Sequence, residues 1–315
     1  MHFLKKIISI IISVIFSILL IELVLYVDNY RPDYDKYTKI INNFNYTTND
    51  EIKLQSNDSF IVLGDSFTHA EVCAKKKEDF VNILKNKYRN KKIYNFGVNG
   101  GSPIHYINIL NSLDLQNIDK LLIVLYYNDI NLTYRNCNLY SKLRKDLSYF
   151  PQSCENILKS KVDTQNDTFV KIIDNFFETK FLFWSLVKEG LANAPYLKKL
   201  YNRSSWDQKF QDENSDEFKV LVNDLNYLKI VSEKNNIDIT FTYFPDVHFL
   251  KPNYPRAKVW ENFINKVNYN DIKIYDPWDY FLANTNKSNL SWSLVDKHAD
   301  CEANQIMANY LETIL

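Results

Sequence analysis

Residues 60–63, Phe-Ile-Val-Leu, form a short apolar run that passes straight into Gly64-Asp65-Ser66. Four bulky apolar residues in succession predict a strand covered on both faces, the condition of a strand inside a parallel sheet. The glycine permits a sharp turn, and the small serine then opens the following helix. Ligands of open α/β sheets gather at this carboxyl edge of the strands. Asp and Ser also cap helices routinely, so the tripeptide alone leaves a capping role and a chemical role open.

The same pattern recurs along the chain. Residues 93–96 read as a second strand, ending in Asn95-Phe96-Gly97-Val98-Asn99-Gly100-Gly101, after which Ser102-Pro103 opens a helix with proline at its first position. Residues 120–127 read as a third strand ending at Asn128-Asp129, and residues 237–244 as a fourth ending at Pro245-Asp246-Val247-His248. Residues 272–275 read as a short fifth. Between them, Phe80, Ile83, Leu84 and Tyr88 recur at helical spacing, as do Phe218, Leu221, Val222, Leu225 and Leu228. Further helices are predicted over 256–268 and at the C-terminus. Strand and helix alternating through short connections predict an α/β fold with a doubly wound parallel sheet.

Glycine is scarce. Of five in 315 residues, Gly64, Gly97, Gly100 and Gly101 fall within 38 positions, where backbone geometry is expected to demand them. The spacing Gly-x-x-Gly-Gly matches neither a dinucleotide fingerprint nor a P-loop, so no nucleotide cofactor is expected.

The rhythm stops over 131–216. This stretch reads as a mostly helical insertion at the same sheet edge, with a bulky apolar run at 176–191 containing Phe181, Phe183 and Trp184. It can serve as a cap over the edge, as a surface facing a membrane, or as helices packed on the core.

At the N-terminus, Lys5 and Lys6 precede an apolar segment, 7–27, with one charge, Glu22. At 1.5 Å per residue it reaches roughly 30 Å, one bilayer core. The flanking lysines place the N-terminus in the cytoplasm, and no small-x-small cleavage site follows. Residues 1–28 are therefore expected to be a cytoplasmic tip and an uncleaved anchor, 29–57 a stalk, and the remainder to lie outside the cytoplasm, periplasmic or extracellular. Disulfides persist there. Cys73, Cys137, Cys154 and Cys301 allow three pairings, and the absence of a Cys-x-x-Cys excludes a zinc ribbon or a thioredoxin motif. With 38 basic and 38 acidic residues the formal charge is zero, and nothing points to nucleic acid. Lys75, Lys76 and Lys77 read as a solvated helix face.

Ser66, Gly100 with its N–H, and Asn128 all sit at strand ends, and a C-terminal loop carries Asp296 and His298. A serine nucleophile needs a base, the base needs an acceptor that fixes its tautomer, and the tetrahedral oxyanion needs donors. This set supplies every part, in the order Ser, Asp, His and without a Gly-x-Ser-x-Gly elbow.

Over 57–130 and 217–315 the sequence resembles the SGNH, or GDSL-type, hydrolases. Gly64-Asp65-Ser66 is similar to their first block, Asn95-x-Gly97-x-x-Gly100 to the second, Asn128-Asp129 to the third and Asp296-Lys297-His298 to the fifth. The sequence departs from the pattern at Tyr126 and Ala303, where glycine is usual, and in an Asp-x-His that is one residue short of the commoner spacing. The resemblance implies a five-stranded parallel sheet in flavodoxin-like order, formed by 58–130 and 217–315. It implies Ser66 as nucleophile, His298 as general base and then acid, and Asp296 as its orienter. The Ser66 and Gly100 N–H groups and Asn128 would form the oxyanion hole, with no metal or organic cofactor. Asp65, His69, Asp129 and His248 are further candidates for substrate contact, while His105 and His2 read as surface residues. Because such a mechanism brings Ser66 and His298 together, Cys73 is expected to pair with Cys301. Cys137 would then pair with Cys154, closing a loop worth roughly 3 kcal/mol in the chain-entropy model.

An anchor would confine the enzyme to the outer face of the inner membrane. Relatives with this layout resemble enzymes that add or remove acyl groups on surface polysaccharides. The expectation is therefore an esterase or O-acyltransferase that removes or transfers acyl groups, acetyl above all, on a cell-envelope glycan, with a membrane acyl-donor protein as a further partner. The alternatives are a lipid-directed esterase or lysophospholipase that turns its aromatic insertion to the bilayer, and a non-catalytic glycan-binding protein.

Overall fold

The computed structural model describes residues 13, 16–21, 23, 59–143, 150–163, 206–268, 271–293 and 296–315. Five strands form one sheet: β1 Ser59–Gly64, β2 Lys92–Gly97, β3 Ile118–Leu125, β4 Asp238–Tyr243 and β5 Ile274–Tyr275. Every pairing is parallel and the order is β2-β1-β3-β4-β5, the flavodoxin-like arrangement. β1 is buried along its whole length. Because side chains alternate across a strand, Ile61 and Leu63 enter one hydrophobic cluster and Phe60 and Val62 the other. β3 divides in the same way, with Leu121, Ile123 and Leu125 on the first face and Leu122 and Val124 on the second.

The helices, in chain order, are α1 Ser66–His69, α2 Glu71–Lys76, α3 Phe80–Lys87, α4 Pro103–Asn111, α5 Tyr134–Leu143, α6 Gln152–Asp163, α7 Trp206–Gln211, α8 Asp216–Lys234, α9 Pro255–Asn268, α10 Trp278–Asn284 and α11 Cys301–Ile314. One sheet face is covered by α4, α8 and α9 through Tyr106, Leu225 and Phe263, joined by Phe210 of α7. The other is covered by α3, α10 and α11 through Leu84, Phe281 and Met307. Asn304 ties two of these helices together: its Oδ1 accepts from the Phe80 N–H at 3.2 Å, and its Nδ2 donates to the Asp300 carbonyl at 2.8 Å.

The helix after β1 differs from expectation. Ala70 adopts φ +46°, a conformation uncommon for a residue with a Cβ. It breaks the run into the four residues of α1 and a separate α2. Cys73 of α2 is bonded to Cys301, the first residue of α11, with Cα atoms 5.4 Å apart. Cys137 and Cys154 join α5 to α6. They pack with Tyr140 against Ile104 of α4 and Val220 of α8, so the described part of the insertion lies on the helical layer. The 176–191 run and the 29–57 stalk lie outside the described residues. Of 7–27, only residues 13, 16–21 and 23 are described, all helical. No helix among the described residues is long and apolar enough to cross a membrane.

Candidate active site

The carboxyl edge of β1, β2 and β3 carries the candidate residues. Gly64 pairs with Gly97 across β1 and β2, and the Val98 N–H donates to the Gly64 carbonyl at 2.9 Å, so the two turns lie side by side. Gly97 is required by space, because a Cβ there would stand 2.2 Å from the His69 nitrogen. Gly100 is required by conformation: its φ is +63°, with nothing within 4 Å of where a Cβ would point. Asn95 locks this corner. Its Nδ2 donates to the Thr68 carbonyl and its Oδ1 accepts from the Gly97 N–H, both at 2.9 Å.

Ser66 begins α1. Its Oγ lies 2.8 Å from His298 Nε2, and His298 Nδ1 lies 2.6 Å from Asp296 Oδ1, which also accepts the His298 backbone N–H at 3.0 Å. With Nδ1 donating to a carboxylate, Nε2 presents its lone pair to the serine hydroxyl. The chain thus brings Ser66 to His298, 232 positions away. The base loop is pinned at several points. The Asp296 N–H donates to Ser293 Oγ at 2.9 Å, the Trp292 N–H to the His298 carbonyl at 2.8 Å and the Asp300 N–H to the Leu290 carbonyl at 2.8 Å. The Cys73–Cys301 bond ties the end of the same loop to α2, the helix after the one that Ser66 begins.

Tyr126, at the position where glycine is usual, is accommodated by stacking on Phe67 at 3.7 Å between ring centroids. Phe67 in turn meets the His298 ring at 5.2 Å and Phe244 at 5.3 Å, so aromatic rings floor the site. Ala303, the other departure, is fully buried, and its N–H is capped by Asp300 Oδ1 at 2.8 Å.

The candidate substrate contacts divide. Asp65 is fully buried beneath Ser66 and caps α1 by accepting the Phe67 N–H at 2.9 Å. Asp129 is buried as well, with Oδ1 accepting from the Tyr106 hydroxyl at 3.0 Å and Oδ2 from the Tyr126 N–H at 2.8 Å. Both carboxyls lie under the site rather than in its wall, which corrects the expectation that they touch substrate. Burial raises Asp65 to about 6, opposed by the Phe67 N–H, the His298 charge and hydrogen bonds from Asn128 and Ser66. Burial, and then the charge of Asp65, raise Asp129 well above the carboxylate range. His248 stands 2.7 Å from Asp246 with a side chain only 10% exposed. His69 is half-buried at the corner against Gly97. His105, expected at the surface, is buried, with Nδ1 3.0 Å from Ser102 Oγ. Among the described residues no group of three or more acidic, histidine or cysteine side chains could hold a metal ion.

Sequence reasoning gave no role to Asn95, Phe67 or Asn304. Asn95 stands two residues before Gly97 and so had a positional signal, but asparagine is too abundant in this chain for one to stand out.

No family model matches the chain, and no curated protein matches it. Solved structures do. An acetyl xylan esterase, AlAXEase, matches at 13% identity and a TM-score of 0.40, over 82% of this chain and 99% of its own. The psychrotrophic esterase EstA from Pseudoalteromonas sp. matches at 14% and 0.41, over 81% and 95%. A member of the lipolytic G-D-S-L family from Veillonella parvula matches at 11% and 0.41, over 82% and 97%. These matches are to two esterases and a lipolytic G-D-S-L protein by their own descriptions, and this chain has a five-stranded parallel sheet.

Proposed function

We propose that the chain is a serine esterase or O-acyltransferase of the SGNH type, working through an acyl-enzyme on Ser66. The observation that carries this reading is the relay from Asp296 through His298 to Ser66, at 2.6 and 2.8 Å. His298 Nε2 takes the Ser66 proton as Oγ attacks the ester carbonyl. Asp296 holds the ring in the required tautomer and stabilises the imidazolium. The oxyanion is received by the N–H groups of Ser66 and Gly100 and by the amide of Asn128. His298 then gives its proton to the leaving alcohol. Water or a sugar hydroxyl, deprotonated by His298, attacks the acyl-enzyme and completes hydrolysis or transfer.

The substrate we assign is an acylated, above all acetylated, polysaccharide of the cell envelope, met outside the cytoplasm by a protein anchored through residues 7–27. Two disulfides support an oxidising compartment, and the length and apolarity of 7–27 support an anchor. Full-length protein in detergent should hydrolyse a short aryl ester, and Asn128→Ala should slow it by about 10²–10³. Mass spectrometry of the envelope glycan from a deletion strain separates the two outcomes of the acyl-enzyme. Extra acyl groups indicate an esterase and missing ones a transferase, whereas an unchanged glycan contradicts the substrate.

A further inference from the structure

Two polar contacts hold the His298 ring. Nδ1 faces Asp296 Oδ1 at 2.6 Å and Nε2 faces Ser66 Oγ at 2.8 Å. Contacts at two ring atoms leave the imidazole free to tilt about the line that joins them, and its side chain is 47% exposed. Phe67, the residue after the nucleophile, supplies a third contact. The two ring centroids lie 5.2 Å apart with 37° between the ring planes. Rings side by side in one plane cannot approach so closely, and the angle is far from edge-to-face. Phe67 therefore meets the imidazole out of its plane, where tilting is stopped. Phe67 itself is fixed. It is 4% exposed, and its N–H donates to Asp65 Oδ1 at 2.9 Å. Its ring stacks on Tyr126 at 3.7 Å and meets Phe244 at 5.3 Å. Phe244 packs in turn on Phe281 of α10 at 5.8 Å and on Phe80 of α3 at 6.2 Å. A chain of rings thus runs from the base into the core.

We propose that Phe67, backed by Tyr126, is a positioning residue that keeps the His298 ring in line with Ser66 and favours its protonated form. An aromatic ring attracts a cation within about 6 Å of its centroid. In the reaction His298 starts neutral and becomes cationic as it takes the serine proton, so the attraction is largest when the oxyanion forms, and it lowers the barrier. Tyr126 stands where glycine is usual in the hydrolases this sequence resembles. Glycine there would leave Phe67 without the ring that stacks on it at 3.7 Å. The titratable groups around the imidazole are Asp296 on its own loop, Asp65 beneath Ser66 and the Tyr126 hydroxyl one ring away. None of them is removed by a change at Phe67. The proposal rests on the reading of the protein as a serine esterase with His298 as its base.

The test is the pH profile of the full chain in detergent, turning over an aryl acetate. Phe67→Leu keeps the backbone N–H and an apolar side chain but removes the ring. The acid limb of kcat/KM should move to lower pH by about half a unit, because the imidazolium has lost its partner. The plateau kcat should fall about threefold with KM nearly unchanged. Trifluorophenylalanine at position 67 keeps the ring's shape and weakens its attraction for a cation, so it should reproduce most of the shift. Tyr126→Gly should move the limb the same way, and added to Phe67→Leu it should move it no further. An acid limb that stays in place with either change at Phe67, or shifts that add in the double variant, would overturn the proposal. A second readout needs no turnover. In Ser66→Ala, with the His298 resonance assigned by its loss in His298→Gln, the NMR titration midpoint of His298 should drop by about half a unit when Phe67→Leu is added. An unmoved midpoint would overturn the proposal. Inertness of the wild type toward every ester would sink the esterase reading instead, and the titration would still decide the role of Phe67.

Discussion

The protein carries two Asp-x-His pairs at the same edge of one sheet. Asp296 and His298 stand 2.6 Å apart, with side chains 12% and 47% exposed. Asp246 and His248 stand 2.7 Å apart, with side chains 2% and 10% exposed. Spacing and separation are nearly the same, but the surroundings differ. His298 turns its free edge to Ser66 and solvent. In the second pair Asp246 precedes the 3₁₀ turn Val247–Phe249 and His248 lies inside it; the Val247 carbonyl accepts the Leu290 N–H at 2.8 Å, while the Leu250 N–H donates to the Ser288 carbonyl at 3.0 Å. The buried pair braces the start of the loop that carries His298, and the exposed pair at its end is the one we propose to act on substrate. A carboxylate–imidazole pair becomes a candidate catalyst only where a nucleophile stands at the other ring nitrogen.

This contrast can be broken by substitution. His298→Ala should reduce kcat by roughly 10⁴–10⁶, the scale seen when one member of a triad is lost. An equal loss in His248→Ala would erase the distinction drawn here. The disulfides sharpen it next. Replacing Cys73 and Cys301 with serine frees the loop that aims His298, and turnover should fall on the order of 10²-fold before the protein melts. Replacing Cys137 and Cys154 should cost about 3 kcal/mol of stability and leave kcat unchanged, as followed by thermal unfolding and initial rates. His248→Gln should lower stability by about 1–2 kcal/mol, the scale of one disturbed buried polar contact, with kcat within a few-fold of wild type.

A last effect is one of pH, far from the site. Burial raises Asp224, which accepts from the Tyr140 hydroxyl, to about 8 from an ordinary 3.8. The native state holds this proton at pH values where the unfolded chain has released it. The associated stability is therefore full below about pH 4 and is lost as the pH rises towards 8. Melting temperatures measured across that window should fall with pH, and Asp224→Asn should flatten the slope.

Much of this was legible in the sequence. The strands announced themselves because strands buried on both faces of a parallel sheet are short continuous apolar runs, as at Ile61 and Leu122. Ser66, Gly100 and Asn128 drew notice because they stand at strand ends, and the structure brings Ser66 to His298 and His298 to Asp296. The roles of Asp65 and Asp129 were not legible. Polarity in sequence does not say whether a carboxyl beside a nucleophile faces the ligand or the core, and burial decided it. The break at Ala70 was equally hidden, since alanine is among the residues least expected to leave a helix. His248 drew notice because it follows a strand end, and position along the chain carries no information about depth: its side chain is only 10% exposed.

The central claim is that Ser66 is a nucleophile activated by His298. Intact-protein mass spectrometry after exposure to a p-nitrophenyl alkylphosphonate tests it directly. The account predicts a single adduct that maps to Ser66, forms in His248→Gln, and is lost in Ser66→Ala and His298→Ala. An unmodified wild-type protein, or an adduct that persists in Ser66→Ala, would contradict it.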